Sequence, residues 1–206
     1  MNALQQLQKR CGVKPDNSFG PKTARAIADF YELSDVRAAH LLGQCHHESA
    51  GFKSVKESLY YSSAERIQQV WPSRFKTVED AEPYARNPSK LAGKVYAGRM
   101  GNRDETEAAL YVGRGFIQCT GRDNYRLFAK QMRRPEVLTD PELLEKTELA
   151  FESALWFFHE NNLFKIADKG VSDDVVLKLT KRINGGKHGL ADRIAQTEKI
   201  YGWLNV

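Results

Sequence analysis

The chain has 206 residues, 41% of them hydrophobic and 10% aromatic, with a formal net charge of +5 and a sequence pI of about 9.0. That is the size and composition of one ordinary soluble globular domain, with room for a small lobe. No apolar run reaches the length of about 18 residues that a membrane span needs, so no stable membrane insertion is expected. The basic excess is mild and scattered, which favours polyanions in general but argues against nucleic acid as the partner. Cys11, Cys45 and Cys119 are odd in number and far apart, which fits reduced, buried thiols better than a disulfide framework. The first ten residues lack the apolar core of a signal peptide, so the chain is expected to be made in the cytoplasm without an export signal of its own.

Residues 1–33 read as helix, turn, helix. Leu4, Leu7 and Cys11 form an apolar stripe, Asp16-Asn17-Ser18-Phe19-Gly20 is turn chemistry, and Pro21 opens the second helix at its first position. Ala24, Ile27, Ala28 and Tyr31 give that helix a buried face. The run from Leu7 to Thr23 resembles about half of the common peptidoglycan-binding repeat, with its leucine-glutamine pair, Asp-rich turn, Phe-Gly and helix-opening Thr. Too short to bury a core alone, this segment must pack on the rest of the chain, either as a wall-contacting lobe or as plain scaffold.

A helix then begins near Ser34-Asp35-Val36. Leu41, Cys45 and Glu48 fall on one of its faces. A carboxyl group emerging from an apolar face loses hydration, which disfavours its charged form and suits a general acid. Beyond the turn at Gly51, Glu57 lies in a polar Ser- and Tyr-rich segment where a carboxylate stays ionised. Two carboxyls in unlike surroundings, nine positions apart across a turn, are what glycoside hydrolysis needs. A structural reading competes with this one, because a Glu at a helix end is more often solvated or paired than catalytic.

Helical patterns continue over Ala64–Trp71, Val78–Ala85 and around Leu91, Val95 and Tyr96. Trp71, Phe75 and Tyr84 are candidate sugar-stacking rings, with core the favoured reading for at least two of them. Asn102-Arg103-Asp104-Glu105 reads as a loop. In Tyr111–Thr120 the Gly113-Arg114-Gly115 run lacks the ending of a phosphate loop. If Phe116–Thr120 is extended, its alternation puts Gln118 and Thr120 on one side, able to hold a water or a sugar hydroxyl. A helix comes next, from about Arg122 to Met132. Thr139-Asp140-Pro141 then caps what reads as the longest helix, 141–160, apolar on several faces and therefore central. Ser172 or Asp173 caps a helix that stops at Asn184-Gly185-Gly186, and the last helix, Leu190–Trp203, carries Arg193. Strand signals are scarce, and the fold class is mainly α.

Together these segments resemble the glycoside hydrolases of family 19. His47-Glu48-Ser49-Ala50-Gly51-Phe52 resembles the family's first catalytic motif, Glu57-Ser58-Leu59-Tyr60-Tyr61-Ser62 its second, and Tyr111–Thr120 its Tyr-Gly-Arg-Gly…Gln-x-Ser segment. Ile183–Gly186 and Ala191–Ile194 are similar to its late motifs, all in the family's order. The resemblance implies a lysozyme-like, chitinase-like helical domain spanning 1–206, with a deep cleft and 1–33 as a small lobe packed on the catalytic core.

Within the family, Leu91–Asn102, the Cys-His before His47-Glu48 and the wall-binding-like start resemble the phage and bacterial lysins. Plant chitinases of the family are secreted and disulfide-bonded, and this chain has neither feature. The resemblance therefore implies an endolysin acting as a muramidase on the bond between N-acetylmuramic acid and N-acetylglucosamine. It would be a monomer without cofactor or metal, acting on bacterial peptidoglycan. It would stay in the host cytoplasm until a holin let it reach the wall.

The resemblance also implies roles. Glu48 protonates the glycosidic oxygen, Glu57 activates a water on the opposite face of the sugar, and Thr120 helps hold that water with Gln118 nearby. Tyr111, Asn124 and Asn184 contact the glycan, while Arg193 pairs with acidic groups and tunes the site's charge. Such an inverting mechanism sets the two carboxyls roughly 6.5–9.5 Å apart or more. Two departures from the family pattern are Thr120 where the chitinases carry Ser, and a short link between the two acids that weakens the placement of Glu57. Three other readings compete: a chitinase, a non-catalytic wall-binding module, and a zinc hydrolase using His46, His47 and Glu48. The last lacks the His-Glu-x-x-His spacing.

Overall fold

The computed structural model describes residues 1–206 and contains helices and turns without a β-sheet. In chain order the first helices are α1 (Ala3–Arg10), α2 (Pro21–Phe30), α3 (Asp35–Glu48), α4 (Ala64–Val70) and α5 (Val78–Ala81). Next come α6 (Pro88–Tyr96), α7 (Glu105–Leu110), α8 (Arg122–Gln131) and α9 (Leu143–Lys146). The chain ends with α10 (Leu149–Glu160), α11 (Phe164–Ala167), α12 (Asp173–Asn184) and α13 (Leu190–Leu204). Short 3-10 turns cover Glu82–Tyr84 and Pro135–Leu138. No helix is long and apolar enough to cross a membrane.

The chain divides into two compact units. The first comprises Met1–Val55, Gly115–Gln118 and Glu142–Val206, the second Lys56–Arg114 and Cys119–Pro141.

In the first unit, α10 is buried almost all round, which fits its run of apolar residues on several faces. Ala150, Phe151, Ala154 and Phe158 join Leu41, Leu42 and Cys45 of α3 and Ile200 and Leu204 of α13 in one core. Leu4, Leu7, Ala24, Ile27 and Ala28 of the first two helices belong to the same core. Asn2 opens α1 with a capping box to Gln5, and Pro21 starts α2. The turn between them wraps a buried amide. Gln8 Nε2 donates to Asp16 Oδ1 at 2.9 Å and to the Ser18 carbonyl at 3.0 Å, and its Oε1 accepts from the Asn17 N–H at 3.0 Å.

The second unit has a smaller core of Leu59, Ile67, Phe75, Ala81, Leu91, Val95 and Val112. Trp71 and Tyr84 pack against it, and Phe75 is within it. The three candidate stacking rings therefore serve packing.

Three local expectations change. The helix expected over 141–160 breaks at Thr147, whose backbone is extended. The Thr147 hydroxyl donates to the Leu143 carbonyl at 2.7 Å and accepts from the Leu149 N–H at 3.2 Å, so it ends α9 and opens α10. The longest helix is α13, not this one. The polar stretch at 102–105 is only partly a loop, because Asp104 accepts from the Glu107 N–H and caps α7. Phe116–Thr120 is not an extended strand either. Arg114 and Cys119 pair across a tight turn in which Gly115 and Gln118 have φ of +85° and +60°. Strand alternation therefore does not set Gln118 and Thr120 on a common side.

Candidate active site

Glu48 is the last residue of α3, and its position depends on how that helix meets α13. Gly43 faces Thr197 of α13 so closely that a Cβ there would lie 2.6 Å from Thr197 Oγ1. The missing side chain lets the two backbones approach, and one turn further on Arg193 reaches across. Its guanidinium donates to Glu48 Oε1 and to Gln44 Oε1, while its Nε donates to the His188 carbonyl at 3.1 Å. Arg193 is 1% exposed and Gln44 fully buried, whereas the Glu48 side chain keeps 23% of its surface. The expectation of a simply dehydrated carboxyl is thus corrected: Glu48 is half-buried, ion-paired and open on one side.

The two histidines before Glu48 point to different sides of α3. His46 packs among Phe19 and Phe52, ring centroids 6.1 and 5.8 Å away. His47 Nδ1 lies 2.6 Å from Asp192 Oδ2. That hydrogen bond holds the Asp192 carboxyl below the usual range. Asp192 also accepts from Gln196 at 3.1 Å. Gly189, with φ of +67°, sits where any Cβ would be 2.1 Å from the His47 ring, so the His47 motif and the loop after α12 fit each other closely.

Asn184 ends α12, and Gly185 follows in the left-handed conformation of a helix stop. The Asn184 Nδ2 donates to the same His188 carbonyl as Arg193, at 3.1 Å, and its Oδ1 accepts from the Gly186 N–H at 2.9 Å. Asn184, Arg193 and Glu48 are therefore joined through one carbonyl and one guanidinium. Gln118, also in the first unit, closes the tight turn with its backbone N–H on the Gly115 carbonyl at 3.3 Å.

In the second unit Glu57 is held from three directions. Its Oε1 accepts from the Gly113 N–H, its Oε2 accepts from the Tyr96 hydroxyl at 2.7 Å, and its own N–H donates to the Gly113 carbonyl at 2.9 Å. Burial, reinforced by the Glu57 charge, pushes the Tyr96 phenol up, so it stays a donor. Arg114 is buried behind this motif and donates to the Leu110 carbonyl at 2.7 Å and to Tyr125 Oη at 3.3 Å. The Thr120 carbonyl accepts from Asn124 Nδ2 at 2.8 Å, which ties those two residues together. Tyr111 is buried against Tyr125 and donates its hydroxyl to the Leu138 carbonyl at 3.1 Å, a scaffold position with little surface left for a ligand.

Sequence reasoning passed over Gln44 as a partner of Arg193, the pairing of His47 with Asp192, and Tyr96 as a partner of Glu57. Gln44 precedes Glu48 by one helical turn, which was a usable signal. Tyr96 carried none beyond its place in the Leu91–Asn102 segment. No group of three or more His, Cys, Asp or Glu side chains is arranged to hold a metal ion.

No family model matches the chain. Its sequence is 34% identical over 176 residues to a glycosyl hydrolase family 19 domain-containing protein of Haemophilus influenzae, covering 84% of this chain and 81% of that protein. It is also 36% identical over 78 residues to an endochitinase of Arabidopsis thaliana, covering 37% of this chain and 25% of the plant enzyme.

Proposed function

The chain belongs to glycosyl hydrolase family 19, and from that premise we propose that it is an endolysin-type muramidase. It cuts the β-1,4 bond between N-acetylmuramic acid and N-acetylglucosamine in bacterial peptidoglycan. Glu48 gives its proton to the glycosidic oxygen as the bond breaks. Glu57 takes a proton from the water that attacks the anomeric carbon from the opposite face, so configuration inverts. Thr120 and Gln118 help hold that water, Asn124 and Asn184 bind the glycan, and Arg193 fixes the Glu48 carboxyl. The partners of this role are the wall itself and a holin-type protein that opens the membrane.

The observation that carries this reading is the bond from Tyr96 to Glu57. Tyr96 lies in Leu91–Asn102, the segment that resembles lysins rather than chitinases, and it orients the carboxylate assigned as base. A chitinase is the second reading, favoured by the stretch shared with the plant endochitinase.

Mass spectrometry of digested peptidoglycan, comparing wild type with Glu48→Gln, tests the proposal. Fragments ending in reducing N-acetylmuramic acid, from wild type alone, support a muramidase that uses Glu48. Reducing N-acetylglucosamine ends overturn the bond assignment. Equal digestion by both proteins removes Glu48 as the acid. No digestion of peptidoglycan, with cleavage of N-acetylglucosamine oligomers, makes the protein a chitinase.

A further inference from the structure

The buried guanidinium of Arg193 has one carboxylate beside it, Glu48, and its other side-chain partner is the neutral amide of Gln44. Gln44 is fully buried, and its Nε2 has no hydrogen-bond partner. A leucine would fill this position without leaving that amide unsatisfied, so packing alone gives no reason for a glutamine here. What the amide does supply is an acceptor, Oε1, aimed at Arg193.

We propose that Gln44 is a positioning residue for hydrolysis: it holds Arg193 in the plane that presents its Nη2 to Glu48, and its neutrality reserves the cation for that one carboxylate. This rests on the assignment of Glu48 as the acid. Gln44 and Glu48 stand one turn apart on α3, and the His188 carbonyl anchors the third side of the guanidinium. An arginine fork held at three points has one orientation, and an acid held by it has a defined rotamer. Of the titratable groups nearby, Cys45 feels the Glu48 charge, His47 and Asp192 adjoin Glu48 and Arg193 in the chain and pair with each other, and the His47 and His188 rings lie 6.3 Å apart.

Two variants separate positioning from packing. Gln44→Leu keeps the volume and removes the acceptor. Gln44→Glu keeps the acceptor and adds a second carboxylate that competes for Arg193 and repels charge on Glu48. Both are measured with Glu48→Gln on purified peptidoglycan and on N-acetylglucosamine oligomers, with thermal melting as the control for folding.

Gln44→Leu is expected to lose roughly tenfold to a hundredfold in kcat with KM little changed, the scale of a misplaced catalytic group. Gln44→Glu is expected to recover much of that loss and to move the alkaline limb of the pH–rate profile up by about one pH unit. If Gln44→Leu keeps kcat within about twofold of wild type, or if Gln44→Glu leaves the pH profile where it was, the proposal is overturned. Should Gln44→Leu fail to fold, the Gln44→Glu profile alone decides. Full activity of Glu48→Gln would instead overturn the underlying acid assignment, a result distinct from either.

Discussion

The Tyr96 hydroxyl sits 2.7 Å from Glu57 Oε2 and is the side-chain donor on that carboxylate, beside the backbone N–H of Gly113. A hydrogen bond to a charged group contributes about 1.5–3 kcal/mol. Tyr96→Phe keeps the ring against its packing partners and removes this bond alone. The variant is expected to fold normally and to lose about tenfold or more in kcat/KM, since every 1.36 kcal/mol is a factor of about ten. Steady-state kinetics checks this. Unchanged kinetics would mean that the Gly113 N–H suffices to orient Glu57.

The approach of α3 to α13 gives a prediction about stability rather than chemistry. A Cβ on Gly43 would meet Thr197 Oγ1 at 2.6 Å and the Thr197 backbone at 3.1 Å. Gly43→Ala is therefore overpacked and should cost about 1–3 kcal/mol. Thr197 Oγ1 is buried without a partner, so Thr197→Ala loses no hydrogen bond and should recover part of the cost in the double variant. Denaturant melts of the four proteins in a double-mutant cycle measure the coupling. Simple additivity would show that the helices relax apart instead.

Residues 1–33 either brace the fold or form a wall-contacting lobe that can be spared. Leu4, Leu7, Ala24, Ile27 and Ala28 are each at most 2% exposed. Phe19 from the turn packs on Phe52, centroids 4.3 Å apart, and on Trp203 at 5.9 Å. Burying one Leu or Ile side chain contributes about 1.5–3 kcal/mol, against a total stability of about 5–15 kcal/mol for a typical domain. A chain lacking residues 1–33 is thus expected to lose cooperative thermal unfolding and glycan hydrolysis together. Calorimetry and turnover on soluble glycan fragments check it. A shortened protein that melts cooperatively and keeps turnover while binding walls poorly would identify the segment as a binding lobe.

Much of this architecture was readable because apolar spacing and stop signals act locally. The buried face of α2, the start at Pro21 and the stop at Asn184-Gly185 all come from neighbours in the chain. Where the reading failed, local cues were weak or conflicted. Only Ala108 of α7 is buried, so that helix shows no stripe, and its cap Asp104 was the one available cue. The break at Thr147 hides inside continuous apolarity because a single hydroxyl makes it. At 114–119 the alternation template assumed extension, while Gly115 and Gln118 turn the chain back. Glu48 and Arg193 could be picked out singly, but their junction with Gln44 joins residues 149 positions apart and exists only once Gly43 lets α3 meet α13.

His40 makes the stability of the fold depend on pH. It lies fully buried on α3, its Nε2 is 2.8 Å from the Gly170 carbonyl, and its Nδ1 has no partner. Nε2 therefore carries the proton, and Nδ1 has no acceptor to welcome a second one. Burial holds the ring below its ordinary value of 6.5, with the Gly170 bond opposing only in part. The unfolded chain thus binds a proton near pH 6.5 that the folded chain refuses until lower pH. Stability from this group is complete above about pH 6.5 and is lost as pH falls from there toward the lowered folded value. His40→Gln keeps a donor for Gly170 and removes the titration. Its melting temperature should be lower than that of wild type at pH 7.5, with the gap narrowing by pH 5. Parallel slopes for the two proteins between those pH values would show that His40 takes up its proton in the folded state.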